Sequence, residues 1–213
     1  MSAMRRTRVR RLRARRIRKR IGTSLILAGL ALIGMVAYQL WGTGIATSRA
    51  QTGFRERIAM YGFPARPMPG SAIGFIDIPR IHLDMAFVQG VGADALAKGP
   101  GHYPRSPFPG YGGNVAIAGH RTTHLHPFWA LDEVVTGDRI LLQTRAGAFV
   151  YRVVWQRTVA TDDWSVIAPT DLPALTLTTC TPRFTGRQRL VVRAIQVAGP
   201  NLGAQRVSRL VAG

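Results

Sequence analysis

Three side chains of the types used in nucleophilic catalysis lie far apart in this sequence: Cys180, His120 and Arg189. Cys180 is the only cysteine among the 213 residues. A lone cysteine is more often a small buried apolar side chain than a nucleophile. This one, however, ends a run (ALTLTTC) in which apolar and hydroxyl side chains alternate until Pro182, which predicts a β-strand with the thiol at its end.

Arg189 begins a second strand-like run (RLVVRAIQV) after a short loop. Two strands joined by so short a loop are expected to form an antiparallel hairpin, which places Arg189 beside Cys180. A guanidinium next to a thiol stabilises the thiolate, which is the nucleophilic form. The alternation after Arg189 is imperfect, so the pattern alone does not fix where its side chain points. The loop residues Arg183 and Arg187 are predicted to be solvated or to face a substrate rather than to be catalytic.

His120 ends another short apolar run (NVAIAGH), so a second predicted strand delivers a residue that catalysis can use. An imidazole titrates near pH 6.5 and can donate a proton to a leaving amine, then accept one from an incoming amine. A cysteine and a histidine that are distant in sequence but joined by the fold are what a thiol acyl-transferase requires.

The other histidines are weaker candidates. His120, His124 and His126 have a spacing that could suggest metal ligation, but no cysteine or carboxylate cluster accompanies them. We therefore predict no metal. His82 and His102 are predicted to be structural or to lie on the surface.

The positive charge is concentrated at the N-terminus. Residues 1–20 carry eleven Arg or Lys and no acidic residue, which is more than half of the formal net charge of +19. Residues 21–41 carry no charge and, as a helix, would span about 30 Å, the thickness of a bilayer's hydrocarbon core. Tyr38 and Trp41 fall at the distal end, where aromatic side chains favour the membrane interface. The basic leader predicts a cytoplasmic N-terminus and an extracellular C-terminal part, and binding to nucleic acid is disfavoured.

The rest of the chain divides into a stalk, a β-rich domain and a tail. Residues 42–70 are predicted to be an extracytoplasmic stalk with one or two helical turns around 54–60, and residues 200–213 a C-terminal tail. Residues 71–199 contain seven short strand patterns, at 72–78, 85–88, 114–118, 139–143, 149–155, 175–179 and 190–197. Only brief helices, at 93–98 and 128–134, interrupt them. This pattern predicts a mainly β, closed or nearly closed barrel.

The motif TLTTC-x-P ending at Pro182, the run RLVV from Arg189 and the segment AGHR around His120 resemble the sortases, cell-wall transpeptidases of Gram-positive bacteria. The similarity is greatest to class E, with class D close. It implies an eight-stranded barrel of mixed strand directions with Cys180 as nucleophile and His120 as acid and base. It also implies that Arg189 stabilises the oxyanion or the substrate. Thr179, next to the nucleophile, could position substrate or contribute to an oxyanion site.

The resemblance further implies a reaction and its partners. The expected substrates are surface proteins with a C-terminal LPXTG-like or LAXTG-like sorting signal, cleaved between Thr and Gly through a thioester on cysteine. The acyl group then passes to an amine of a cell-wall precursor or of a pilin, and no cofactor is needed. Two alternatives are another thiol acyl-transferase, such as an L,D-transpeptidase-like enzyme, and a non-catalytic, membrane-anchored β-barrel that binds or scaffolds.

Overall fold

The computed structural model describes residues 3–201, with the backbone alone for residues 3–16, 40 and 41. The predicted tail lies outside the described residues beyond Asn201, and so does the side chain of Trp41. The described chain divides after Gly42 into two compact units.

The first unit consists of helix α1 (Ala3–Ala37) and a π-helical turn (Tyr38–Gly42). Within α1, the segment Ile17–Ala37 has 21 residues, and none of its side chains is buried. Among the described residues, this is the one helix that is long and apolar enough to cross a membrane, judged by length and composition. Such a helix fits a membrane anchor.

The second unit opens with helix α2 (Thr43–Tyr61), which packs on the barrel through polar side chains spaced four residues apart. Gln51 is buried and exchanges two hydrogen bonds with the backbone of Ala86, and the hydroxyl of Thr47 donates to the carbonyl of residue 97. Arg55 forms an ion pair with Asp84. The helix is much longer than the one or two turns predicted from the sequence. The prediction was too short because the contact face of this helix is polar and shows no apolar periodicity.

Eight strands close into a barrel, as the resemblance implied. They are β1 (Ala72–Ile78), β2 (Leu83–Gln89), β3 (Gly101–His102), β4 (Asn114–Ala118), β5 (Arg139–Thr144), β6 (Gly147–Ala160), β7 (Ala174–Thr181) and β8 (Gln188–Ala198). Their order around the barrel is β1-β2-β3-β4-β7-β8-β6-β5. The pairs β2–β3 and β4–β7 are parallel and the other pairs are antiparallel. Helix α3 (Ala93–Leu96) connects β2 to β3.

The barrel interior holds the apolar core, to which every long strand contributes alternate side chains. Fully buried members include Ile76, Phe87, Ile117, Leu142, Leu177 and Val192. Phe128 and Leu131, from the connection between β4 and β5, are buried in the same core. Burying each such side chain contributes about 1.5–3 kcal/mol, so this connection is fixed to the barrel. The turn of 3₁₀-helix at Leu131–Glu133 belongs to it.

Candidate active site

Cys180 and Arg189 form a cross-strand pair at the loop end of the β7–β8 hairpin. An Nη atom of Arg189 donates a hydrogen bond to Cys180 Sγ at 3.3 Å, and it also lies within hydrogen-bonding distance of the carbonyls of Gly186 and Gln188. Both side chains are half-buried. The antiparallel hairpin predicted from the sequence is confirmed, and it brings the guanidinium to the sulfur.

His120 reaches the same end of the barrel through the parallel pairing of β4 with β7. Ala118 is paired with Thr178, and the N–H of Gly119 donates to the Thr178 carbonyl at 3.0 Å. His120 lies two residues after Ala118, and Cys180 lies two residues after Thr178. The register therefore brings the backbone of His120, two residues beyond the end of β4, to the level of Cys180 on β7.

Thr179 directly precedes Cys180 on β7, but its side chain points away from the thiol. Its side chain is buried, and its hydroxyl donates to the carbonyl of Gly119 at 2.7 Å. Because successive side chains of a strand alternate between faces, Thr179 occupies the face of β7 opposite to Cys180. Its observed contact joins the cysteine strand to the backbone that precedes His120.

A second histidine packs against His120. The rings of His120 and His124 stack with centroids 4.6 Å apart, and a ring nitrogen of His124 lies 3.0 Å from the hydroxyl of Thr123. Burial, and then repulsion by a charge on His124, lower the pKa of His120 below its ordinary value. Burial lowers the pKa of His124 as well. At neutral pH the imidazole of His120 is therefore mostly uncharged.

The loop that carries His124 has a tightly curved backbone. His124, Leu125 and His126 have φ values of 55°, 61° and 39°, which is the left-handed region that non-glycine residues seldom adopt. Within the described part of the chain, no group of three or more His, Cys, Asp or Glu is placed to hold a metal ion. In the sequence, the only sign that His124 lies close to His120 is their spacing of four residues.

Sequence reasoning missed Arg121, which follows His120 directly. Its side chain is only 4% exposed and forms a 2.8 Å ion pair with Asp132. One Nη atom donates to the hydroxyl of Thr181 at 2.9 Å and to the carbonyl of Cys180 at 3.4 Å. The sequence signal is the position of Arg121 in the segment AGHR, but its partner Asp132 follows from the fold alone.

Arg183 is held by the same carboxylate. It pairs with Asp132 at 3.0 Å, and its guanidinium lies over the ring of Trp129 at 4.6 Å. Trp129 also contacts the exposed ring of Phe184 edge-on. The β7–β8 loop is therefore attached to the β4–β5 connection, whereas Arg187 is exposed to solvent.

Residues 76–197, more than half of the chain, match the family model described as the sortase domain. The chain belongs to the sortase family. The resemblance noted in the sequence motifs is thereby confirmed, and sortases are cysteine transpeptidases.

Curated sortases of two branches are similar to this chain. Sortase D of Bacillus subtilis (strain 168) is 37% identical over 118 residues, covering 55% of this chain and 58% of that protein. Sortase SrtE1 of Streptomyces coelicolor is 29% identical over 193 residues, covering 81% of this chain and 55% of that protein. The chain thus spans little more than half the length of these two sortases.

Solved sortase structures share the fold. The structure of a Clostridium perfringens sortase D5 transpeptidase has a TM-score of 0.63 and 26% identity, covering 72% of this chain and 99% of its own. Sortase E from Streptomyces avermitilis has a TM-score of 0.56 and 30% identity, covering 64% of this chain and 95% of its own. The barrel of this chain is therefore a sortase barrel.

Proposed function

We propose that this sortase is a membrane-anchored cysteine transpeptidase, most similar to class E, in which Cys180, His120 and Arg189 perform the reaction. The observation that carries the proposal is the 3.3 Å contact between Arg189 and the sulfur of Cys180. The pairing of β4 with β7 brings the backbone of His120 to the same end of the barrel. The proposed substrate is a surface protein with a C-terminal LPXTG-like or LAXTG-like signal.

In the first half-reaction, the thiolate of Cys180 attacks the carbonyl carbon of the substrate threonine. The carbonyl electrons move to its oxygen, where the N–H groups of Arg189 stabilise the developing charge. The intermediate collapses, the Thr–Gly bond breaks, and His120 gives its proton to the leaving glycine nitrogen. A thioester to Cys180 remains, and the C-terminal fragment departs.

In the second half-reaction, an amine of a cell-wall precursor attacks the thioester carbonyl. His120, now neutral, accepts the proton of this amine, and the sulfur of Cys180 leaves as a thiolate stabilised by Arg189. The atoms and protons balance over the two halves. Because the pKa of His120 is lowered by burial and by His124, only a minority of molecules hold the protonated imidazole at pH 7.

We assign Thr179 a positioning role. Its hydroxyl connects β7 to the Gly119 carbonyl, so it helps to keep the cysteine strand in register with the histidine strand. On the opposite face of β7, Thr178 alternates with Thr179 and shares the face of Cys180.

The anchor fits this function. A helix at Ile17–Ala37 preceded by a basic leader predicts that the barrel lies outside the cell, beyond a cytoplasmic N-terminus. Enzyme and membrane-held substrate are then confined to one surface, which raises their effective concentration. No nucleic acid or cofactor takes part in the proposed reaction.

The test is cleavage of fluorogenic LPXTG and LAXTG peptides by the full-length chain in detergent, with and without an amine acceptor. We expect mass spectrometry to show cleavage between Thr and Gly, and an amide product when the amine is present. Cys180→Ala should reduce turnover by about a thousandfold or more. Failure to cleave either peptide would contradict the substrate assignment, and turnover that survives Cys180→Ala would contradict the mechanism.

A further inference from the structure

Arg121 is a buried cation that the proposed reaction does not use. Its side chain is 4% exposed, and a guanidinium removed from water needs partners that offset its desolvation. It is paired here, because one nitrogen binds Asp132 at 2.8 Å and another binds the hydroxyl of Thr181 at 2.9 Å. The same fork reaches the carbonyls of Cys180 and Trp129, each at 3.4 Å.

The carboxylate that receives Arg121 is itself fixed. Asp132 lies in the 3₁₀ turn between Leu131 and Glu133, and the side chain of Leu131 is fully buried in the barrel core. Arg183 binds both oxygens of Asp132 from the β7–β8 loop, at 3.0 and 3.2 Å. Asp132 therefore holds one arginine from the histidine side of the site and one from the cysteine side.

This connection joins the two reacting groups. Arg121 follows His120 in the chain, while its guanidinium contacts the backbone of Cys180 and the side chain of Thr181. A rigid planar fork of five donors is well suited to fix two chain segments at once. Catalysis requires such spacing to be accurate to about 0.5 Å, and a displacement of 1 Å can reduce a rate about a hundredfold.

We propose that Arg121, held by Asp132, is a positioning residue that sets the placement of His120 against Cys180. The inference rests on the proposed function for its kinetic consequence only. The structural part of the proposal is that Arg121 couples the imidazole of His120 to the thiol of Cys180, and this coupling can be measured without any substrate.

The substrate-free test is a double-mutant cycle on the alkylation of Cys180 by iodoacetamide in the full-length chain at pH 6 and pH 7.5. The four proteins are the parent, His120→Gln, Arg121→Lys and the double variant. Arg121→Lys retains the positive charge but loses the fork. We expect His120→Gln to change the alkylation rate about fivefold in the parent and less than about twofold in the Arg121→Lys background. An equal effect of His120→Gln in both backgrounds, including no effect in either, would overturn the proposal.

The kinetic test uses peptide cleavage by Arg121→Lys and Asp132→Asn. We expect kcat to fall about 10-fold to 100-fold in each, with KM within about twofold. Asp132→Asn removes a negative charge from the partner of Arg121, so the loss of charge alone would not disfavour a thiolate, whereas displacement of His120 predicts a loss of turnover. The matched control is Asp138→Asn, which breaks the ion pair with Arg80 away from the site and should leave kcat unchanged.

The outcomes separate the two proposals. A loss of turnover that is fully explained by a smaller folded fraction, measured by thermal unfolding, would overturn the positioning role. Turnover of both variants within twofold of the parent would also overturn it. If the parent cleaves no peptide, the proposed substrate is wrong, and the alkylation cycle still decides whether Arg121 couples His120 to Cys180.

Discussion

The side-chain amide of Gln51 forms a two-point contact with the backbone of Ala86. Its Nε2 donates to the Ala86 carbonyl at 2.9 Å, and its Oε1 accepts from the Ala86 N–H at 2.8 Å. Strand β3 pairs with β2 only at Val88 and Gln89, so Gln51 satisfies the backbone groups of β2 at Ala86, where β3 is absent. Helix α2 is therefore part of the folded domain.

Replacing Gln51 by alanine should destabilise this domain by about 2–4 kcal/mol, because a buried N–H and a buried carbonyl lose their partners. The measurement is urea unfolding of a fragment of residues 43–213, whose described part, up to Asn201, forms one compact unit. Gln143→Ala, on the exposed side of β5, is the matched control and should change the free energy of unfolding by less than about 0.5 kcal/mol. Equal effects of the two substitutions would show that α2 contributes little to stability.

Arg189→Lys should lower kcat/KM for peptide cleavage by about a hundredfold or more. Lysine keeps the charge but lacks the planar donors that contact Cys180 Sγ and, in our proposal, the oxyanion. The control is Arg187→Lys, two residues earlier in the exposed loop, which should retain activity within about twofold. A near-parental rate for Arg189→Lys would transfer the oxyanion role to another donor.

The barrel strands with clear alternation could be predicted from the sequence. Strand β4 begins and ends where its pattern does, and the short loop between β7 and β8 indicated the pairing of Cys180 with Arg189. Local pattern and loop length suffice in these cases because neighbouring strands are joined by short connections. Strand β3 could not be predicted, because two residues form no period.

The remaining features depend on contacts between distant segments. The stripe of α2 that carries Gln51 binds backbone groups, so its residues show none of the apolar periodicity by which helices are recognised. The ion pair of Arg121 with Asp132 forms because Leu131 is buried in the core, which brings an acidic residue to the histidine strand. Neither the pairing nor the burial of Arg121 is visible in the order of residues.

His124→Gln should move the limb of the pH–rate profile that reflects His120 to higher pH. Burial is the larger cause of the lowered pKa of His120, and the charge of His124 is the second; removing the second cause raises that pKa. The measurement is kcat/KM for peptide cleavage between pH 5 and pH 9. His126→Gln, in the same loop but packed near Trp129, is the control. A limb that stays in place in His124→Gln would show that the stacked ring does not influence His120.

Burial of His102 should make the stability of the domain depend on pH. This side chain is fully buried, with one ring nitrogen 3.0 Å from Gln89 Oε1 and the other 3.1 Å from the Pro107 carbonyl, and burial lowers its pKa. The unfolded chain protonates this imidazole near pH 6.5, whereas the folded chain does so only at lower pH. Between these values the unfolded state binds more protons, so the free energy of unfolding falls as the pH falls.

The free energy of unfolding should therefore be highest above about pH 7.5 and should decrease towards pH 5. His120 and His124 act in the same direction, because their pKa values are also lowered. Urea unfolding of residues 43–213 at pH 5, 6 and 7.5 measures this dependence. His102→Gln should make it shallower, because the group that gains a proton on unfolding is gone. The matched control is His82→Asn, which removes one imidazole from an exposed position whose left-handed backbone suits asparagine. The same pH dependence in both variants would show that burial of His102 does not link protonation to folding.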